Sequence, residues 1–250
     1  MTVLTKEESH YWDAEHNQHL IKDSHDMIEL RYGIDSEIRT MVHKSLLCFY
    51  SPYYRALLEG GFSETGQKFV DTHLDDATGS MFVSWLYSGQ MLYYTELPHF
   101  ELYVFADKTE NLALRRSIMT VVVQGSQRQF SELPPILDDL KQPLTELPST
   151  SPLFQWILNT FVHHWDPTEY PPPDEALLKE IPADFFLKVA QEIALKFKNN
   201  FTGPCPCCHN YCNYHEHESV AEWHMKVVPM VEPDEEFLKP PVNTSSSSNT

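Results

Sequence analysis

The segment Cys205-Pro206-Cys207-Cys208-His209-Asn210-Tyr211-Cys212-Asn213-Tyr214-His215-Glu216-His217 gathers seven sulfur and imidazole side chains into 13 residues. Thiolate and imidazole are the donors zinc prefers, and a structural zinc takes four of them in a tetrahedron. If Cys208 begins a helix, Cys212 lies one turn on and His215 follows three residues later on the same face. Cys205, approached through the stiff Pro206, would complete a Cys3His set of Cys205, Cys208, Cys212 and His215. Cys207 and Cys208 are adjacent and point in different directions, so one of the two binds in that geometry, and His217 or His209 could substitute for His215. The other reading of the same residues is buried thiols beside surface histidines. The spacing matches no common zinc finger, because the long gap between a Cys pair and a His pair is absent.

Catalytic chemistry finds little support. His215-Glu216-His217 is not the HExxH helix of a metalloprotease, and no general base accompanies it. Gly60, Gly61 and Gly66 form neither a P-loop nor a dinucleotide fingerprint, and no GxSxG elbow occurs. The acid pairs Asp75-Asp76 and Asp138-Asp139 are adjacent, so their carboxylates diverge and suit capping or solvation. The expectation is a protein that is not an enzyme.

Charge narrows the partners. The chain of 250 residues carries a formal net charge of −18. Binding a phosphate backbone requires clustered Lys and Arg, so neither nucleic acid nor an acidic membrane surface is expected. No apolar run approaches the 18 residues of a membrane span, and the first residues lack a basic segment followed by an apolar one. Cysteines crowded into one segment without an export signal suggest metal rather than disulfides, in a reducing cytosol or nucleus.

The elements that must position these residues are legible in part. Residues 1–23 are polar and read as a mobile arm or a loosely docked helix. Asp26–Tyr32 and Glu37–Val42 alternate apolar and polar residues about a Gly33-Ile34-Asp35-Ser36 turn, as a hairpin does. His43–Phe49 reads as a short helix. Ser51 caps a second helix with Pro52 in its first turn, and Gly60-Gly61 stops it. Lys68–Leu74 is strand-like, and Asp75 or Asp76 caps a helix over Ala77–Tyr87 with Met81, Phe82, Trp85 and Leu86 on one face. Gln90–Tyr94 is a weak strand, and helices follow over Phe100–Lys108 and Asn111–Val123. Beyond a Pro/Leu-rich linker at 126–150, Ser151-Pro152 opens an amphipathic helix. Pro182-Ala183-Asp184 opens another, carrying Phe186, Val189, Ala190, Ile193 and Phe197. The helical extension runs over 151–228 and includes the Cys/His cluster; the tail 229–250 has a disordered composition.

Over residues 24–125 the order of elements and their punctuation resembles the BTB/POZ domain. The matching stretches are Asp26 before the first strand, Val42-His43-Lys44, and Ser51-Pro52-Tyr53-Tyr54-Arg55-Ala56-Leu57-Leu58. Phe62-Ser63-Glu64, Leu74-Asp75-Asp76, Phe82–Gly89 and Leu102–Lys108 continue the match. The whole chain is similar to small single-BTB proteins of filamentous fungi. The resemblance implies an α+β fold of short strands and clustered helices, followed here by the helical extension. It also implies a function in protein–protein association, as a homodimer or as a substrate adaptor on a cullin scaffold of a ubiquitin ligase. A transcriptional regulator acting through protein contacts is the alternative.

Two residue roles follow from the resemblance alone. Phe62 and Glu64 match the hydrophobic-x-Glu motif of the cullin-binding subset, where an aromatic edge gives area and a carboxylate gives register. The plainer reading is a Phe closing a helix beside a solvated Glu. Asp26 and His43 occupy positions that the family uses as a polar pair beneath its dimer surface; the plainer reading of His43 is a satisfied histidine near a strand end.

Overall fold

Three short strands and the helices that cover one of their faces make the framework. The computed structural model describes residues 10–60, 68–91, 98–128, 140–165, 179–199, 205–209 and 211–217. Strand β1 (Met27–Tyr32) lies between β2 (Ile38–His43), antiparallel to it, and β3 (Phe69–Asp71), parallel to it. Alternation sets the register. Ile28 faces Val42, and Leu30 faces Thr40 on one side and Val70 on the other, so the residues of one parity go inward. Ile28, Leu30, Val42 and Val70 are all buried. The opposite parity, Met27, Met41 and Phe69, stays exposed on the outer face.

The hairpin turn needs positive φ at Gly33, Asp35 and Ser36, and the Ser36 hydroxyl donates to the Asp71 carboxylate on β3. Two consecutive helices, α2 (Lys44–Tyr50) and α3 (Pro52–Glu59), are separated by Ser51 alone. The Ser51 hydroxyl accepts the Tyr54 N–H at 3.1 Å, capping α3, and donates to the Thr109 carbonyl. Of the two acids before α4 (Asp76–Ser88), Asp75 is the cap, its carboxylate accepting the Thr78 N–H at 2.6 Å. Gly89 ends α4 in the left-handed region at φ 68°, where a side chain would also strike the Trp12 ring. The face of α4 expected to be apolar, Met81, Phe82, Trp85 and Leu86, is buried, and Trp85 donates to the Ser117 hydroxyl at 3.0 Å.

Helices α5 (Pro98–Lys108) and α6 (Leu112–Arg128) follow, the second capped by the Asn111 carboxamide accepting from Leu114 N–H. Most of the expected weak strand Gln90–Tyr94 lies outside the described residues.

In the polar arm the structure shows the helix that was one of its two readings, and the expected linker is more structured than the sequence suggested. Part of the polar arm is helix α1 (Ala14–Asp23), capped by Asp13 and docked through the buried Asn17. The Asn17 carboxamide donates to the Leu86 carbonyl at 2.9 Å and accepts the Tyr50 hydroxyl at 2.7 Å. Polar composition concealed how it docks, because Asn17 bonds to the end of α4 and to Tyr50 while only Leu20 and Ile21 add apolar packing. Within the expected linker, Lys141–Glu146 forms helix α7, with Leu140, Leu144 and Leu147 buried. Pro143 sits in the first turn, where no intrahelical N–H bond is lost, and the leucines join the core. Helix α8 (Pro152–His164) buries Leu153, Phe154, Ile157 and Phe161, while Trp165 is exposed. Helix α9 (Ala183–Lys198) buries Phe185 and Val189; Ala190 and Phe197, expected on the apolar face, are exposed. The fold is α+β, and no described helix is long and apolar enough to cross a membrane.

Candidate functional site

Past α9 the chain returns as a four-residue helix α10 (Pro206–His209) and a 3-10 turn (Tyr211–Tyr214). Cys208 lies in α10, Cys212 in the 3-10 turn and His215 after it, so no one helix carries all three as the sequence spacing suggested. The segment lies across α6 and α8. Trp156 of α8 donates its indole N–H to the Cys207 carbonyl at 3.2 Å, and Asn159 donates to the Tyr214 hydroxyl at 3.0 Å. Arg115 of α6 forks between Asp107 and Glu216, with contacts of 2.8 Å to each. The neighbouring Arg116 donates to the Glu216 and His10 carbonyls and stacks its guanidinium over Tyr11. Two successive arginines thus clamp the cluster and the start of the described chain to one helix.

Two groups of three donors result. In the first, His164, Cys205 and Cys207 bring their ligand atoms within 4.8 Å of one another. In the second, Cys212, His215 and His217 do the same. Either group could hold a metal ion. The expected set of four is therefore divided: Cys205 belongs to the first group, Cys212 and His215 to the second, and the Cys208 side chain lies outside the described residues. Cys205 and Cys207 are joined in this structure, so this pair would have to be reduced before it could serve a metal as expected. The Cys-Pro-Cys turn holds their Cα atoms 5.5 Å apart, within disulfide reach.

The surroundings tune the donors. The His164 Nε2 lies 2.9 Å from Cys205 Sγ, and burial followed by the Lys196 charge lowers the His164 pKa. Burial, with His217 and Arg116 adding to it, brings His215 down to about 3. Both rings are thus neutral near pH 7, the form that ligates. The Thr120 hydroxyl lies 3.0 Å from the Arg116 carbonyl and 2.9 Å from His215 Nε2, which holds the ring in place. Burial raises the Cys212 thiol. Burial also raises Glu216, against the pull of Arg115.

Sequence reasoning missed His164, which lies 41 residues before Cys205 at the end of an apolar helix. It set Cys207 aside and named His217 only as a substitute. The signal at hand was the pair His163-His164 closing an amphipathic stretch, which composition alone does not connect to a distant cysteine.

The other expected site residues are elsewhere. Phe62 and Glu64, between α3 and β3, lie outside the described residues. Asp26 is exposed before β1, and its carbonyl accepts the Lys44 N–H at 2.9 Å. The His43 ring does not meet Asp26. It meets Tyr87, whose hydroxyl accepts the His43 backbone N–H at 3.0 Å and lies 2.9 Å from Nδ1. This ties the end of β2 to the last turn of α4. No family model matches this chain, and no curated protein matches it in sequence.

Proposed function

We propose that this chain is a non-enzymatic protein-interaction module of the BTB/POZ type, which associates with itself or recruits another protein. The observation that carries this reading is the outer face of the sheet. Met41 on β2 and Phe69 on β3 both register with Glu29 of β1, and Met27 lies on the same face. All three are between 39% and 52% exposed, on a sheet whose other side is core. Adjacent apolar side chains of this size left in water mark a surface for another chain. The element order from β1 through α6, with α5 and α6 as a closing helical pair, supports the family assignment.

Cullin-linked adaptation is the specific form of the proposal, with Phe62 and Glu64 as the contact. Capture of a cullin amino-terminal region by the wild type, reduced at least tenfold in a Phe62→Ala/Glu64→Ala variant, is the expected result; no capture by the wild type would overturn it.

Zinc is the metal that suits the Cys/His donors. Cys212, His215 and His217 would supply three of its four donors and fix the segment 211–217 against α6. Metal analysis of the reduced protein against Cys212→Ser tests this; a wild type without zinc refutes it.

A further inference from the structure

We propose that His164, Cys205 and Cys207 form a zinc centre of their own, and that the Cys205–Cys207 bond is its oxidised, metal-free state. The inference shares with the reading above only the choice of zinc. Both centres lie between α6 and α8, but different side chains hold their donors. The second group is held by α6 through Thr120 and the arginine clamp. The first is held by α8, which supplies His164 itself and anchors Cys207 through Trp156.

Within the first group the three donor atoms converge with the imidazole directed at sulfur, His164 Nε2 to Cys205 Sγ being 2.9 Å. The Cys207 N–H donates to Cys205 Sγ at 3.2 Å, an interaction that stabilises a thiolate as well as a bonded sulfur. Two sulfurs and one imidazole are three zinc donors, and a water completes the tetrahedron.

The same two sulfurs cannot serve both ends. Bound to zinc they are thiolates; bonded to each other they have lost two electrons and the charge that holds the cation. Zinc itself has no redox chemistry, so the electrons come from sulfur. With a peroxide as oxidant, two thiolates, two protons and one hydrogen peroxide give one disulfide and two waters, and the zinc ion leaves to solvent. A dithiol reductant reverses the step: its own sulfurs become a disulfide, and Cys205 and Cys207 regain thiolates that rebind zinc. Cys207 is fully buried, whereas Cys205 and His164 are half-buried, so attack begins at Cys205.

The test uses the full chain, reduced, loaded with zinc and desalted, with metal content and peptide masses as readouts. Two zinc ions per chain are expected. One equivalent of hydrogen peroxide should release one of them while the peptide containing Cys205 and Cys207 loses two hydrogens, and dithiothreitol with zinc should restore both. His164→Ala, at the half-buried end of α8, and Cys207→Ser should each hold one zinc ion that peroxide does not release. Cys212→Ser should keep the peroxide-sensitive ion. Formation of the Cys205–Cys207 bond without zinc release, or wild-type zinc content in both His164→Ala and Cys207→Ser, would overturn the proposal. A wild type holding a single zinc ion, lost in His164→Ala and kept in Cys212→Ser, would support this centre while refuting the structural one.

Discussion

The sheet with its covering helices and the Cys/His segment are stabilised by different physics. In the first, Trp85, Leu86, Leu30 and Leu46 are completely buried, and helix ends are closed by Ser51, Asp75 and Gly89. In the second, only Cys207, Tyr214 and His215 among the described side chains are buried, and two arginines fasten the backbone. Apolar burial is non-directional and spreads over many contacts, so it tolerates the loss of any one polar bond. A segment fastened by a few directed bonds depends on each of them. Damage to the first region should therefore unfold the molecule, and damage to the second should loosen it locally.

The sharpest way to break this contrast is Trp85→Ala. Removing a fully buried indole that packs on Tyr50 and Phe82 should cost about 3–5 kcal/mol of global stability, measured by urea unfolding. A loss below about 1 kcal/mol would deny that α4 is the centre of the core. Arg115→Ala comes next, leaving Asp107 and Glu216 without their shared cation. The cost should be about 1–3 kcal/mol and should register as faster amide exchange over residues 211–217, with exchange in β1 unchanged. Equal acceleration in both regions would merge what the comparison separates.

Ser51→Ala is smaller, removing the cap of α3 at about 1–2 kcal/mol, near the upper end because the serine is buried and makes two bonds. A further test is alkaline, and its effect is absent near neutral pH. Burial, followed by the Glu59 charge, holds the Cys48 thiol up to about 12 against an ordinary 9.0. Above pH 9 the unfolded chain releases this proton and the folded chain keeps it, so stability should fall between about pH 9 and 12. Cys48→Ala should flatten that fall; an identical slope in the variant would show that this thiol is not the cause.

How much the sequence revealed follows the same division. The hairpin, the Ser51 and Asp75 caps and the apolar face of α4 were legible because period, cap chemistry and glycine act over a few residues. The docking of α1 was not, since Asn17 is a polar residue whose partners, Leu86 and Tyr50, are distant in sequence. The same applies to Leu144 inside a proline-rich stretch, which is buried only because other helices leave room for it. At the candidate site, the donor types were visible and their grouping was not. His164 joins Cys205 through the packing of α8 on the returning chain, and local spacing carries no record of that.

The exposed sheet face is the part of the first region that the core does not explain, and self-association tests it most directly. Sedimentation velocity of the full chain across a hundredfold concentration range, comparing wild type with Met41→Glu, is the decisive measurement. The account predicts a concentration-dependent dimer for the wild type and a monomer for Met41→Glu with an unchanged unfolding curve. A wild type that stays monomeric throughout and captures no cullin amino-terminal region would contradict it.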